Sequence, residues 1–423
     1  QQLFQSSCAA ADLNPYLFEM VNIRDQCSWV HMQERDAATA KAKDLVRMGV
    51  SKAAFLEPQT DIEASLNPRV LVIGGGVAGL TAAETMAGMG LEVVLVEKET
   101  ELGGLLTKIH RVAPHGEVAS ESISELIQSV TNRPNISVYG GAQLQDVGGY
   151  IGNYEVTLRR DSGETVQENV GCIVVATGAV PLVPEGLYGY DGKKVITQME
   201  LEKRLKEGPV ETKGVVMIQC VGARSPERPY CSRICCQTAV KNARLLKEQN
   251  QDAHVHILYR DMQMYGTENE QMLWDSRGEG VRYDVFSAEQ PPSVEEGKVR
   301  FYRSLTGETV EIPCDLVVLS TPLIAREDAP GLSQLLRVPM DQNHFFMEAH
   351  AKLRPLDFAT DGVFLCGSAR YPANVEEARS QGLGASSRVA TILFKDKLVV
   401  SAIVAEIDAK TCVGCMGCMD MCP

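Results

Sequence analysis

No stretch of the chain reads as the roughly 20 apolar residues that a membrane-spanning helix needs. The most apolar region, Val70 to Val96, is broken by Thr81, Glu84, Thr85 and Glu92 and is rich in glycine. Positive charge is also short. Against 55 Asp and Glu stand only 41 Lys and Arg, and the resulting net charge of −14 argues against nucleic acid as a partner. No secretory signal is evident, no segment is of low complexity, and no internal repeat is visible. What the chain has in excess is cysteine. There are 13. Most sit in tight clusters, four of them within the last twelve residues, and Cys235 and Cys236 are adjacent, a poor arrangement for ordinary disulfides. Metal ligation in a reducing cytoplasm is the expected use. The chain opens on Gln and stops inside a motif at Cys422-Pro423, so it reads as a piece of a longer protein.

At 423 residues and 44% hydrophobic content, two to three globular domains are expected. Residues 1–66 look mainly helical, with a helix over 37–56. Asn67-Pro68 then marks a boundary. The spacing predicts a strand over 69–73, a helix over 77–89 and a strand over 91–97, which is a βαβ unit. Further strands are expected at 136–138, 154–159 and 171–176. A second βαβ-like unit is expected from strands at 214–219 and 254–259 around a helix over 238–249. Strands at 316–320 and 362–365, a helix over 375–393 and an apolar lead over 403–408 complete the pattern.

Gly74-Gly75-Gly76-Val77-Ala78-Gly79 is a G-x-G-x-x-G turn between a strand and a helix. Gly74 allows the tight turn, Gly76 lets a pyrophosphate approach the backbone, and Gly79 lets helix and strand pack closely. The helix N-terminus opened by Val77 and Ala78 faces the phosphates. Glu97 ends the second strand, 18 residues after Gly79, where a carboxylate can accept from a ribose diol. The continuation Lys98…Gly103-Gly104 resembles that of two-dinucleotide-binding-domain flavoproteins, whose Gly-Gly pair passes the FAD. Ala176-Thr177-Gly178 is similar to the segment that closes over the dinucleotide in that class. Gly362 to Gly367-Ser368 is similar to its last FAD strand. In many members an Asp follows that glycine and binds the ribityl chain; Ser368 stands in its place, so a weaker contact is expected.

The strand over 214–219 ought to run into a second glycine turn if a nicotinamide bound there. It runs instead into Cys220, and Cys231, Cys235 and Cys236 follow. Four thiolates can hold one [4Fe–4S] cluster. A mixture of buried cysteines and a redox disulfide is the other reading of this spacing. Cys412, Cys415, Cys418 and Cys422-Pro423 form C-x2-C-x2-C-x3-C-P, the bacterial ferredoxin run. The first three are expected to ligate one cluster; in two-cluster ferredoxins the fourth serves the other.

An FAD fold with a cysteine insertion at the nicotinamide turn and a ferredoxin motif behind it resembles the A-type subunits of heterodisulfide reductase (the HdrA family). The segments 13–31, 43–48 and 259–266 look familial as well. The resemblance implies an α/β, thioredoxin-reductase-like flavoprotein with an N-terminal helical segment and the start of a ferredoxin-like domain. The expected divisions are 1–66 for the end of an N-terminal domain, 67–192 for the first part of the FAD domain, and 193–327 for the middle domain with the cysteine insertion. The second part of the FAD domain is expected over 328–400, and the ferredoxin start over 401–423. It implies FAD and at least two [4Fe–4S] clusters. Cys8 and Cys27 become candidate ligands of an N-terminal cluster. Lys241 falls at the family position near the flavin N5, where its charge tunes the flavin. The implied activity is flavin-based electron bifurcation in a cytoplasmic dimer of complexes. Its partners are B- and C-like subunits, ferredoxin, and a hydrogenase or formate dehydrogenase module with a small electron-transfer subunit. One departure is visible. Many members carry an extra ferredoxin domain between the first FAD segments, whereas 159–166 here reads as a short turn.

Two other functions stay open. One is an NAD(P)H-dependent flavoprotein with a fused ferredoxin, like the glutamate synthase small subunit; the insertion over 220–236 speaks against it. The other is an electron-wiring subunit of a quinone-linked membrane complex, which would lack the N-terminal segment. His254 and His256 are expected to pack rather than bind metal, and Cys172, Cys314 and Cys366 to serve as small core residues. His110 and His115 lie in a loop that could reach the flavin.

Overall fold

A computed structural model describes residues 2–400, 405 and 407–421. The chain forms two compact units, one from the N-terminal residues through Ala64 together with those from Lys397 onward, the other from Ser65 to Asp396.

The larger unit is built on two parallel five-stranded sheets. In the first the order is Val363–Leu365, Cys172–Val175, Arg69–Ile73, Glu92–Glu97, Ile136–Gly140. These strands are near-continuous apolar runs because helices or further strands cover both faces. Helix Val77–Gly88 packs on one face beside helix Val375–Leu393, which returns from the far end of the unit. In the second sheet the order is Val195–Thr197, Leu316–Leu319, Gly214–Ile218, His254–Tyr259, Arg282–Val285. Helix Cys235–Gln249 covers it with Cys236, Ala239, Val240 and Ala243. Two connections join the halves, and their short strands Val180–Pro181 and Leu323–Ile324 pair antiparallel.

Each half also carries an antiparallel three-stranded sheet. One is Ala142–Tyr150, Asn153–Arg160 and Thr165–Val170; the other is Ser293–Glu295, Lys298–Arg303 and Glu308–Pro313. The halves therefore repeat one architecture, although the sequence shows no repeat. Short apolar strands of any composition satisfy a buried parallel sheet, so the likeness leaves no residue signature. The connection between Arg160 and Thr165 is a tight turn, as expected.

In the smaller unit, helices Gln2–Ala10 and Arg35–Ala53 flank short helical turns at Pro15–Leu17 and Arg24–Ser28. Strand Ile62–Ala64 pairs antiparallel with Leu398–Val400. Through this pairing the residues up to Ala64 and those from Lys397 belong to one unit. Of the lead over 403–408, residues 403, 404 and 406 lie outside the described residues.

Candidate flavin site and cysteine loop

A cavity of about 420 Å³ opens between the two halves of the larger unit. One wall is the first glycine turn. Gly74 adopts φ +113°, and a Cβ there would overlap the Ala176 carbonyl oxygen. At Gly79 a Cβ would overlap the Gly74 oxygen, so only glycine lets the helix start this close to its strand. Gly76 is different: a Cβ there would meet nothing within 4 Å. The N-terminus of the twelve-residue helix thus faces open space, with Val77 and Ala78 lining the same opening. Glu97 is locked from both sides, accepting the Gly75 N–H at 2.6 Å and the Glu99 N–H at 2.9 Å. Gly103 donates its N–H to the Gly75 carbonyl at 2.7 Å, which brings Gly104 to the cavity. Ala176, Thr177, Gly178 and Ser368 complete this wall. Gly367 stands behind Ser368 and donates its N–H to Gln381 Oε1 at 2.9 Å.

Lys98 turns elsewhere. Its Nζ pairs with Asp328 at 2.7 Å, and it borders a second cavity of about 230 Å³ on the other side of Glu97 and Thr177. Of the cavity residues expected from sequence, Lys98 and Gly74 border this second space without lining the first. Neither His110 nor His115 lines either cavity. His115 instead sits at the surface near Glu268 and Glu376, at 3.1 and 3.7 Å.

The opposite wall comes from the second half: Met199 and Glu202 on helix Gln198–Glu207, then Ile234, Gln237, Thr238 and Lys241. Lys241 is buried, not a surface lysine. It pairs with the fully buried Glu202 and donates to the Arg111 carbonyl at 2.8 Å. The other Glu202 oxygen accepts the His110 N–H at 2.9 Å. Burial drives the Lys241 ammonium below its ordinary value, and Glu202 opposes that shift. Glu202, Arg111 and Gln237 were missed from sequence. The signal for the Glu202 helix was present: Thr197 and Glu200 form a reciprocal capping box.

Two buried donors lining the cavity, Arg111 Nε from the first half and Gln237 Nε2 from the second, have no partner within the protein. Unpaired buried donors beside an open helix N-terminus fit a ligand with phosphates at one end and hydrogen-bond acceptors at the other, as FAD has.

The cysteine loop is contiguous with this wall. Strand Gly214–Ile218 ends, Cys220 turns left-handed at φ +63°, and Arg224 and Arg233 do the same at +53° and +61°. The loop thereby folds back on itself and delivers Cys235 and Cys236 in the first turn of helix Cys235–Gln249. That helix starts three residues earlier than the periodicity predicts. Cys231 Sγ accepts the Arg233 N–H at 3.3 Å, and Cys235 Sγ lies 3.3 Å from the Thr321 carbonyl. Burial, with smaller effects from the neighbouring cysteines, pushes the thiols of Cys220, Cys235 and Cys236 up, the last to about 12. Arg224 and Arg260 pull Cys220 the other way. Burial raises the core thiols of Cys172 and Cys366 in the same way, to about 12, so the shift follows from burial and does not by itself mark a metal site.

Residues 68–382 match the family model for pyridine nucleotide-disulphide oxidoreductases. The chain is 33% identical to the second A-type iron-sulfur subunit of the CoB–CoM heterodisulfide reductase of Methanopyrus kandleri, over 99% of this chain and 79% of that one. It is 32% identical to the A-type subunit of the H2:CoB–CoM heterodisulfide,ferredoxin reductase of Methanothermobacter marburgensis, over 99% and 78%. The chain belongs to the HdrA family of heterodisulfide reductase subunits. The first of these alignments runs over 516 residues against 423 here, so at least 93 positions of that relative fall opposite gaps in this chain. Among solved structures, the thioredoxin reductases of T. acidophilum and Lactococcus lactis superpose with TM-scores of 0.53 and 0.54. They are 17% and 16% identical, cover 77% of this chain, and span 98% and 99% of their own. At that identity they speak for the fold alone.

As an HdrA-type flavoprotein, the chain is an oxidoreductase subunit. Its remaining cysteines divide by environment. Cys412, Cys415 and Cys418 are exposed thiols, on a segment that turns left-handed at Gly414 and Met416 before the short helix Gly417–Met421. Cys422 lies outside the described residues. Cys8 is half-buried on the first helix; Cys27 is buried and donates its thiol to the Ala38 carbonyl at 2.8 Å. Cys172, Cys314 and Cys366 are core residues. His256 is paired with Asp284 at 2.6 Å, while His254 on the same strand is exposed. No helix among the described residues is long and apolar enough to cross a membrane.

Proposed function

We propose that this chain passes electrons between FAD and [4Fe–4S] clusters in a heterodisulfide-reductase-type complex of the reducing cytoplasm. The observation that carries this reading is the cysteine loop at the nicotinamide turn. Ile234, Gln237, Thr238 and Lys241 form a wall of the flavin cavity, and Cys235 and Cys236 belong to the same run of residues. Electrons that would come from a bound nicotinamide in related flavoproteins have a cluster route here instead.

In this reading Gly74, Gly76, Val77, Ala78 and Gly79 hold the pyrophosphate and Glu97 the ribose. Gly103, Gly104, Ala176, Thr177, Gly178, Gly367 and Ser368 shape the rest of the flavin bed, and Lys98 borders the adenosine end. Cys220, Cys231, Cys235 and Cys236 ligate the central cluster. Cys412, Cys415 and Cys418 ligate a second, with Cys422 available to a neighbour, and Cys8 and Cys27 belong to an N-terminal site. Bound FAD supplies the exchange between two-electron and one-electron transfer. Lys241, paired with Glu202, stands at the cavity wall. Arg111 and Gln237 orient the ring through their unpaired donors.

The finer assignment is bifurcation. A hydrogenase or formate dehydrogenase module, with its small electron-transfer subunit, delivers two electrons. One goes to ferredoxin and one toward a disulfide on B- and C-like subunits, so a disulfide is reduced after two such events. One relative supports this: the Methanothermobacter marburgensis reductase is named for H2, the CoB–CoM heterodisulfide and ferredoxin together. The test is anaerobic mixing of the FAD-loaded chain with NADPH or NADH. The reading expects no direct bleaching of the flavin. Rapid stoichiometric bleaching would favour the NAD(P)H-dependent alternative, and co-purification with membrane subunits alone would favour the quinone-linked one.

A further inference from the structure

One side chain fastens the cysteine loop to the flavin wall. Arg233 lies between Cys231 and Cys235 and holds a left-handed backbone at φ +61°, a conformation that persists in a non-glycine residue only where its surroundings enforce it. The enforcement is visible. Its N–H donates to Cys231 Sγ at 3.3 Å. Its guanidinium donates to both Glu377 carboxylate oxygens at 3.1 Å, and to the Pro372 carbonyl at 3.1 Å. The same group stacks against Tyr265 and Tyr371, at 5.3 and 4.8 Å from the ring centroids. A solvated surface arginine keeps none of these restraints; a bidentate fork with two aromatic faces is a built geometry.

What Arg233 grips is itself part of the flavin wall. Glu377 is in a reciprocal capping box with Asn374, and Asn374 lines the cavity beside Ser368. The Tyr371 hydroxyl accepts from Gln381 Nε2 at 3.1 Å, and Gln381 Oε1 accepts the Gly367 N–H. From Cys231 to Gly367 there is thus a continuous chain of directed contacts across the two halves of the unit.

We propose that Arg233 is a positioning residue for electron transfer. Its side chain fixes the cysteine loop against the flavin wall and so holds in place its main-chain N–H···S hydrogen bond to Cys231, which raises the central cluster's reduction potential. Hydrogen bonds to cluster sulfurs shift potentials in this direction because they stabilise the extra negative charge of the reduced state. The inference rests on the reading of Cys220, Cys231, Cys235 and Cys236 as one cluster site.

The test uses the full chain, purified anaerobically with its clusters, as wild type, R233K, R233Q and E377Q. Glutamine at 377 preserves the helix cap and removes only the charge that grips Arg233. Iron, sulfide and flavin are counted first. The midpoint potential of the central cluster is then titrated by EPR, and its loss to a chelator is timed. R233Q and E377Q are expected to keep flavin, to titrate at lower potential than wild type, and to lose iron about tenfold faster. R233K is expected to recover part of both effects. Should R233Q lose the cluster outright, E377Q carries the measurement. Iron-loaded variants with wild-type potential and chelator rate would overturn the proposal while leaving the cluster reading intact. A wild-type chain with no cluster at these cysteines would overturn both.

Discussion

Replacing Lys241 with Met asks whether the charge pair at the cavity acts as one unit. Lys241 is 5% exposed and Glu202 0%. The pair is tied to the loop before it through the Arg111 carbonyl and the His110 N–H, at 2.8 and 2.9 Å. Removing one member of such a pair strands the other as an uncompensated buried charge, a loss of about 3–5 kcal/mol. Removing both, as in K241M/E202L, relieves the stranded charge but leaves the Arg111 carbonyl and the His110 N–H without these partners, so it is expected to cost well below the sum of the two single variants without returning to wild type. The cycle of four variants therefore predicts a coupling energy of about 3 kcal/mol or more. Urea unfolding of the FAD-loaded chain measures it. The flavin gives a second reading with a definite sign. K241M leaves a carboxylate facing the cavity and lowers the flavin midpoint potential. E202L leaves an ammonium and raises it wherever Lys241 remains protonated. The double variant returns toward wild type. Single variants that each cost less than about 1 kcal/mol, with an additive double, would refute the paired arrangement.

G76A is expected to fold normally, because its new methyl enters open space, yet to lose FAD by at least tenfold on gel filtration, since that space is the phosphate approach. G79A is expected to destabilise the protein itself by about 1–3 kcal/mol, seen in its thermal midpoint, because its methyl collides with the Gly74 carbonyl. Asp357 predicts a pH effect. Burial raises its carboxyl, but Arg388 and Arg354 lower it by more, leaving it below the usual value of 3.8. Its contribution to stability is complete above about pH 4 and fades as pH falls through the lowered value, so D357N should flatten the acid limb of thermal stability between pH 5 and pH 2.

The flavin half was legible because its chemistry is written in backbone geometry. Only glycine satisfies the close contacts at positions 74 and 79, and a carboxylate at the end of the next strand has one obvious use. Lys241 was half legible: its position suggested the flavin, but its burial depends on Glu202, 39 residues away in a helix of largely charged composition that reads as a solvated face. The edge strands Thr165–Val170 and Glu308–Pro313 escaped notice because their exposed faces are polar, which weakens the apolar alternation. The pairing of Ile62–Ala64 with Leu398–Val400 joins segments more than 300 residues apart, and no local pattern announces such a pairing. Arg233 was invisible for the same reason. Its meaning comes from Glu377 and two tyrosines that the fold brings to it.

The central claim is that the loop at the nicotinamide turn carries a cluster. It is tested most directly by counting iron and sulfide, with EPR, in the anaerobically purified chain and in C231S/C235S, with C366S as a buried control. The account predicts that C231S/C235S loses one cluster's worth of iron and sulfide, about four of each, while FAD stays bound, and that C366S matches wild type. An unchanged iron count in C231S/C235S would contradict it.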